Sequence, residues 1–409
     1  MDILYPRCAG LDVHKDSVMA CVFTPGAGAA ANKEIRQFGT TTAELRRLAA
    51  WLRECAVTHA AMESTGVYWK PVFNILESSC ELILVNARHV KQVPGRKTDK
   101  ADCAWLASLL QHGLLEASFV PPLEVRQLRD LCRMRTTLVR ECVQVGNRLR
   151  KVLEDANVKL DSVASDTLGV SGRMMIQALI NGSADPVELA ALARGRLRAK
   201  LPQLELALEG QVRAHHRFLL KQWMGLLSAL EQHIAEVEEE IERQMPPFAW
   251  AAELLESVPG VQHTAACALI AEIGVDMDRF PTARHLASWA GLCPGNNASA
   301  GKSRSGKSHR GSRWVKGVMT EIAWAASRTS KSYPAALYKR VAAHRGKKRA
   351  LVALANALLQ SVWHMLTQRQ PFRDLGADYF ERLHQDQLTR TLVRRLEKLG
   401  HKVSLESAA

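Results

Sequence analysis

This chain of 409 residues has no Cys-x-x-Cys pair and no His/Cys cluster at zinc-ligand spacing. Its nine cysteines are odd in number and scattered. That excludes a disulfide framework and the common zinc modules, and it suits buried thiols in a reducing compartment. No apolar run approaches the roughly 20 residues that cross a bilayer. The opening Met1-Asp2-Ile3-Leu4-Tyr5-Pro6 lacks the charged-then-apolar plan of a secretory signal. The expectation is a soluble cytoplasmic protein with no membrane partner. Acid is also in short supply, 41 Asp and Glu against 55 Lys and Arg, for a formal charge of +14. A surplus of that sign points to a polyanionic partner, nucleic acid first. The length predicts two or three domains, each able to bury its own core.

What is present begins with short apolar runs. Cys8 to Val13 and Ser17 to Phe23 flank the polar turn His14-Lys15-Asp16 and predict a hairpin. A third strand is expected near Glu34 to Phe38. An amphipathic helix follows from Thr42 to Cys55, with Leu45, Leu48, Ala49 and Leu52 on one side. Thr58 to Glu63 reads as a fourth strand, Tyr68 to Glu77 as a helix and Glu81 to Val85 as a fifth strand. Three strands, a helix, a strand, a helix and a strand suggest an α/β sheet of the ribonuclease-H type.

Four carboxylates lie on three elements that such a fold could bring together. Asp12 closes an otherwise apolar strand, and Glu63 closes the strand after Ala60, Ala61 and Met62. Ligands of open α/β sheets bind beyond strand ends. In Thr98-Asp99-Lys100-Ala101-Asp102 the two aspartates are three apart, so a helix places both on one face. Like charges so close repel, and a divalent cation reverses the sign, since Mg²⁺ is held by one or two carboxylates plus substrate phosphate oxygens. Arg96, Lys97 and Lys100 suit a phosphate-bearing substrate. The plainer alternative makes Asp99 a helix cap and Asp102 a first-turn acid.

From Glu124 the texture turns helical. Leu138, Cys142, Val145, Leu149 and Val152 form one heptad seam, and Trp223, Leu227, Leu230, Ile234, Val237 and Ile241 form a second that needs a partner helix. Pro246-Pro247 ends the second seam. Leu254 to Val261 then runs into an apolar helix from Ala265 to Ile273, in the manner of a helix-hairpin-helix, with Gln262 where such hairpins usually have a second glycine. Trp314 to Ser327 and Lys348 to Leu366 read as core helices, and the charged chain from Asp374 onward as a tail loosely held around Leu392 to Val403. Domains are expected at 1–123, 124–247 and 248–372, followed by a basic tail at 373–409.

The stretch Gly291 to Lys307 is too rich in Gly, Ser and Asn for a helix and reads as a loop. Six Lys or Arg and no acid lie between Lys302 and Lys316, a strong local field for phosphate. Lys302, Arg304, Lys307, Arg310, Arg313 and, further on, Lys347 and Lys348 are candidate nucleic-acid contacts. A serine among these cations could attack a phosphodiester. The residues alone leave Ser299, Ser303, Ser305 and Ser308 open.

Gly10-Leu11-Asp12-Val13-His14-Lys15, Met62-Glu63-Ser64-Thr65-Gly66 and Lys97-Thr98-Asp99-Lys100-Ala101-Asp102 resemble the DEDD-type insertion-sequence transposases, whose N-terminal domain is similar to the RuvC junction resolvases. The resemblance implies an α/β RNase H-like (RuvC-like) N-terminal domain, a central helical coiled-coil region and a mainly α C-terminal domain. It implies that Asp12, Glu63, Asp99 and Asp102 bind one or two Mg²⁺ ions. Pro294-Gly295-Asn296-Asn297-Ala298-Ser299-Ala300-Gly301-Lys302 matches the same family's serine segment and selects Ser299 as the nucleophile, with Ala298 where many relatives carry an acid. Also implied are DNA element ends and target as substrates, a structured bridge RNA that selects them by pairing, and a homodimer or homotetramer acting at the bacterial nucleoid. The alternatives are a RuvC-like nuclease that uses water and a non-catalytic nucleic-acid-binding scaffold.

Overall fold

The computed structural model describes residues 2–26, 32–64, 66–86, 102–295, 297–299, 302–305, 308, 311–383 and 385–404. The chain forms two compact units, residues 1–120 and 121–409.

The first unit is a five-stranded sheet. Its strands are β1 (Cys8–Val13), β2 (Ser17–Thr24), β3 (Asn32–Gly39), β4 (His59–Glu63) and β5 (Glu81–Val85), in the order β3-β2-β1-β4-β5. β1, β2 and β3 pair antiparallel, whereas β4 runs parallel to β1 and β5 parallel to β4. β1 is central and apolar on both faces because both faces are covered. On one face Leu11, Val13, Val18, Ala20 and Met62 pack beneath α1 (Thr42–Glu54) and α2 (Trp69–Leu76). Thr41 caps α1, accepting from the Glu44 amide, and Leu45, Leu48, Ala49 and Leu52 are buried together with Trp51. On the other face α3 (Asp102–Gln111) lies on Cys8, Gly10 and Cys21. The edge strand β3 is charged and exposed along Lys33, Glu34 and Arg36, which protects an open sheet edge against pairing with other chains.

The second unit is helical, apart from a short two-stranded sheet. Two long helices, α4 (Leu123–Asp155) and α9 (Ala214–Gln244), form an antiparallel pair. Arg135 donates to Glu238 at 2.7 Å, Arg148 lies 5.0 Å over the Trp223 ring, and His216 meets Asp155 at 2.9 Å. The partner demanded by the second seam is therefore the first seam's own helix, in the same chain. Leu227, Leu230, Val237 and Ile241 are buried, with Trp223 and Ile234 half-buried.

Between the long helices, α5 (Leu160–Val163), α6 (Val170–Asn181), α7 (Pro186–Ala191) and α8 (Leu201–Leu208) bury Met175, Ile176, Leu179, Leu189 and Leu204 against Leu149, Leu153 and Leu220. Beyond α9 come α10 (Ala249–Glu256), α11 (His263–Ile273), α12 (Ala283–Trp289), α13 (Arg313–Ala326), α14 (Tyr333–Arg345) and α15 (Lys347–Gln368). α11 docks on α4 through arginines. Arg129 donates to the Ala271 and Glu272 carbonyls at 2.9 and 2.7 Å, and Arg133 forks onto the Glu272 carboxylate at 2.6 and 2.8 Å. Glu272 is only 4% exposed, and burial lowers the Arg129 guanidinium to about 10.

One expectation changes here. α15 has 22 residues and a mean hydropathy of 1.3 in its apolar window, so by length and composition alone it could cross a bilayer, where the sequence reading saw no such run. Its Leu354, Leu358, Leu359, Val362 and Leu366 are buried, and Trp363 donates to the Phe280 carbonyl at 2.9 Å. The chain after Asp374 is held at its start, ahead of the stretch around Leu392 to Val403 read as loosely held. Asp374 accepts from the Tyr333 amide at 2.8 Å, Phe380 stacks on Tyr333, and α16 (Tyr379–Leu383) and α17 (Gln385–Lys398) follow. The helix-hairpin-helix turn faces its own chain, for a Cβ on Gly260 would lie 2.7 Å from the Ala326 amide nitrogen.

Candidate functional site

The acidic end of the sheet follows from strand register. β1 and β4 are parallel, with Leu11 opposite Met62. The next residues, Asp12 and Glu63, thus stand side by side at the carboxyl ends of adjacent strands, at a strand spacing of about 4.8 Å. Residues two apart share a face, so Asp12 lies on the side of Cys8 and Gly10. There Cys8 Sγ reaches the Ala107 carbonyl at 3.5 Å, and a Cβ on Gly10 would sit 2.0 Å from the Cys103 carbonyl oxygen. β1 therefore runs against the direction of α3, and its next step along that face carries Asp12 to the helix N-terminus, which begins at Asp102. Only glycine at position 10 permits so close an approach.

Asp12, Glu63 and Asp102 are all half-buried, and the exposed His14 reaches Asp12 at 3.2 Å. Asp99, Arg96, Lys97 and Lys100 lie outside the described residues. The fold brings three carboxylates to one sheet end without crowding them. Among the described residues, the groups of three ligating side chains within 4.8 Å of one another are Asp155/His215/His216 and Glu242/His263/Cys267. The thiols beneath Asp12 belong to the packing: burial pushes Cys8 up to about 12, and the hydrogen bond shared with Cys103, with burial, raises Cys21.

Ser299 belongs to the second unit. The stretch read as a loop contains a hairpin, β6 (Asn297–Ser299) paired antiparallel with β7 (Lys302–Ser305), in which Ser299 stands opposite Lys302. Arg304 is also on β7, whereas Lys307 and Arg310 lie outside the described residues. The base of this excursion is tied. A Cβ on Gly311 would lie 2.3 Å from the Gly291 nitrogen, and Lys316 Nζ donates to Ser308 Oγ at 2.8 Å. Ser312 caps α13, accepting from the Val315 amide at 3.3 Å.

Directly after that cap, Arg133, Arg140 and Arg313 each hold a guanidinium 5.0–5.3 Å from the Trp314 ring. The sequence reading missed Arg133 and Arg140. Their only signal was a spacing of seven on one helix, which shares a face but names no partner. Lys347 and Lys348 are exposed at the N-terminus of α15, where the helix dipole already favours an anion.

Residues 9–158 match the transposase family DEDD_Tnp_IS110, and residues 252–339 match the transposase IS116/IS110/IS902 family. The chain belongs to the IS110 family of insertion-sequence transposases. The first match contains Asp12, Glu63, Asp99 and Asp102, and the second contains Ser299. This transposase is similar to the "Transposase for insertion sequence element IS1111A" of Coxiella burnetii, at 23% identity over 376 residues, covering 90% of this chain and 91% of that one. It is also similar to the "Insertion element IS110 uncharacterized 43.6 kDa protein" of Streptomyces coelicolor, at 29% identity over 300 residues, covering 67% and 71%.

Proposed function

We propose that this transposase cuts and rejoins DNA through Ser299, with Asp12, Glu63, Asp99 and Asp102 holding one or two Mg²⁺ ions. The observation that carries the reading is the parallel pairing of β1 with β4, which sets Asp12 beside Glu63 under a helix that begins on Asp102. The strand order, antiparallel over β3-β2-β1 and parallel over β1-β4-β5, supports an RNase H-like, RuvC-related first unit. The donor set fits the ion, because hard oxygens on separate elements leave room for the waters and substrate oxygens that Mg²⁺ retains. When bound, the ion supplies Lewis-acid stabilisation of charge on phosphate oxygens.

Ser299 Oγ forms the new bond to phosphorus as the bond to the departing deoxyribose oxygen breaks, and the serine proton ends on that oxygen. The phosphodiester energy is kept in a phosphoserine link. Attack by a second DNA hydroxyl reverses the step and joins strands with no outside energy source. The cations of the hairpin, with Arg140 and Arg313 beside Trp314, suit backbone phosphates and unstacked bases. Sequence choice is assigned to a structured bridge RNA that pairs with both DNAs, and the working species to a dimer or tetramer.

The test is a denaturing gel of wild type and Ser299→Ala with Mg²⁺, labelled element-end DNA and RNA transcribed from the flanking region. A protease-sensitive shifted band in wild type alone is expected. Cleavage by both proteins without an adduct would make water the nucleophile and the protein a resolvase-like nuclease.

A further inference from the structure

Two clusters of ligating side chains lie in the second unit. They differ in what their histidines have left to give. At Asp155/His215/His216, His216 Nδ1 accepts from the Arg213 amide at 3.2 Å, so its proton is on Nε2, facing Asp155 at 2.9 Å. Neither nitrogen of His216 keeps a free lone pair.

At Glu242/His263/Cys267 the arrangement is reversed. His263 Nδ1 meets the Glu256 carboxylate at 2.6 Å, and a carboxylate only accepts, so the proton belongs on Nδ1. His263 Nε2 faces Glu242, whose nearer oxygen is 2.9 Å away, and Cys267 Sγ at 3.5 Å, so a cation binding that nitrogen displaces the proton it shares with the Glu242 carboxylate. Bonds of about 2.0–2.3 Å to a tetrahedral zinc ion put its ligand atoms roughly 3.3–3.8 Å apart, close to the separations already present. A carboxylate on the far nitrogen of a ligating histidine is the usual support for such a site. A cavity of about 30 Å³ adjoins Glu242 and Cys267, with Cys132 also on its wall. It is the size of one solvent molecule. Arg135 faces this cavity too, and its charge is engaged by Glu238 at 2.7 Å.

We propose that Glu242, His263 Nε2 and Cys267 form a site for a thiophilic divalent cation, zinc by preference, with Glu256 orienting the imidazole and water as fourth ligand. The mixed nitrogen, sulfur and oxygen set is wrong for Mg²⁺, so this site is distinct in chemistry from the one assigned to the four acids. It joins the end of α9 to the start of α11, fixing the junction where the long helix pair gives way to the bundle that carries Ser299. The sequence concealed it, because His263 and Cys267 are four apart on a helix while Glu242 comes from another element, 21 residues earlier.

The experiment uses the full-length protein, stripped with a chelator and titrated with Co²⁺ and then Zn²⁺ alone. One equivalent of Co²⁺ is expected to give a thiolate-to-cobalt charge-transfer band that Zn²⁺ bleaches and that Cys267→Ser abolishes. Cobalt held only by carboxylates gives no such band, which separates the site from the four acids. Glu256→Gln, an exposed change that leaves the fold alone, is expected to weaken zinc binding about tenfold or more, measured against a chromophoric chelator. No thiolate band in wild type, or one that survives Cys267→Ser, overturns the proposal. Unchanged zinc affinity in Glu256→Gln removes Glu256 from it.

Discussion

The acids of the first unit and the serine of the second are placed by different means. Asp12 and Glu63 are fixed by strand register, where a slip of one residue would turn both to the opposite face, and Gly10 locks the covering helix to β1 backbone against backbone. Ser299 sits on a hairpin of three and four residues whose position depends on a tie at its base, Gly311 against Gly291. Register resists displacement because the whole sheet must move with it. A tied excursion is steered locally. The contrast suits the proposed metal site, which must stay rigid, and the proposed nucleophile, which must approach and leave a phosphorus atom.

Substitutions that load each construction differently test this contrast. The largest loss is expected at the root of the second unit, where Glu272→Ala removes the carboxylate on which Arg133 forks and leaves Arg129 only its backbone carbonyls; it should cost about 3–4 kcal/mol in chemical denaturation. An unchanged midpoint would mean that α11 is held to α4 by packing alone. Gly10→Ala drives a Cβ into the α3 backbone and should cost about 3 kcal/mol, at the upper end for overpacking, with cleavage falling in parallel. Gly311→Ala meets the buried backbone of Ala290 and Gly291 at 2.3–2.6 Å, and the exposed position 311 is the side that gives way. It should cost about 1 kcal/mol yet reduce the yield of the serine adduct far more than Gly10→Ala does at matched folded fraction. Equal adduct loss per unit of stability would erase the distinction between register and tie.

Much of the first unit could be read from the sequence because its strands declare themselves. β1, β2 and β5 are apolar runs bounded by polar turns, and α1 shows a single buried stripe. Asp12 and Glu63 were legible as strand ends for the same reason. What sequence could not supply was partnership between distant residues. The seam at Trp223 to Ile241 demanded a helix without saying whose. The clasp of Asp374 and Phe380 on Tyr333 spans more than forty residues. α14 buries only Pro334 and Ala335, too little for a periodic face. The hairpin under Ser299 was hidden because strands of three and four residues in a Gly, Ser and Asn background are too short to show alternation. The guanidiniums around Trp314 become a group only when α4 and α13 pack.

The antiparallel pair of α4 and α9 also acts as a ruler. At 1.5 Å per residue, the 33 residues of α4 span about 50 Å. Its first turns are clamped to Glu272, and its last turns lie among the small helices around Leu179 and Leu204. The distance between those two sub-structures is therefore counted in helical turns. A relative can lengthen or shorten the span only by changing both helices together in near-whole turns, by about seven or eleven residues, since increments that fall between turns rotate the Glu272 clamp off its face. Length variation along this rod should come in such steps, matched on the two strokes of the hairpin.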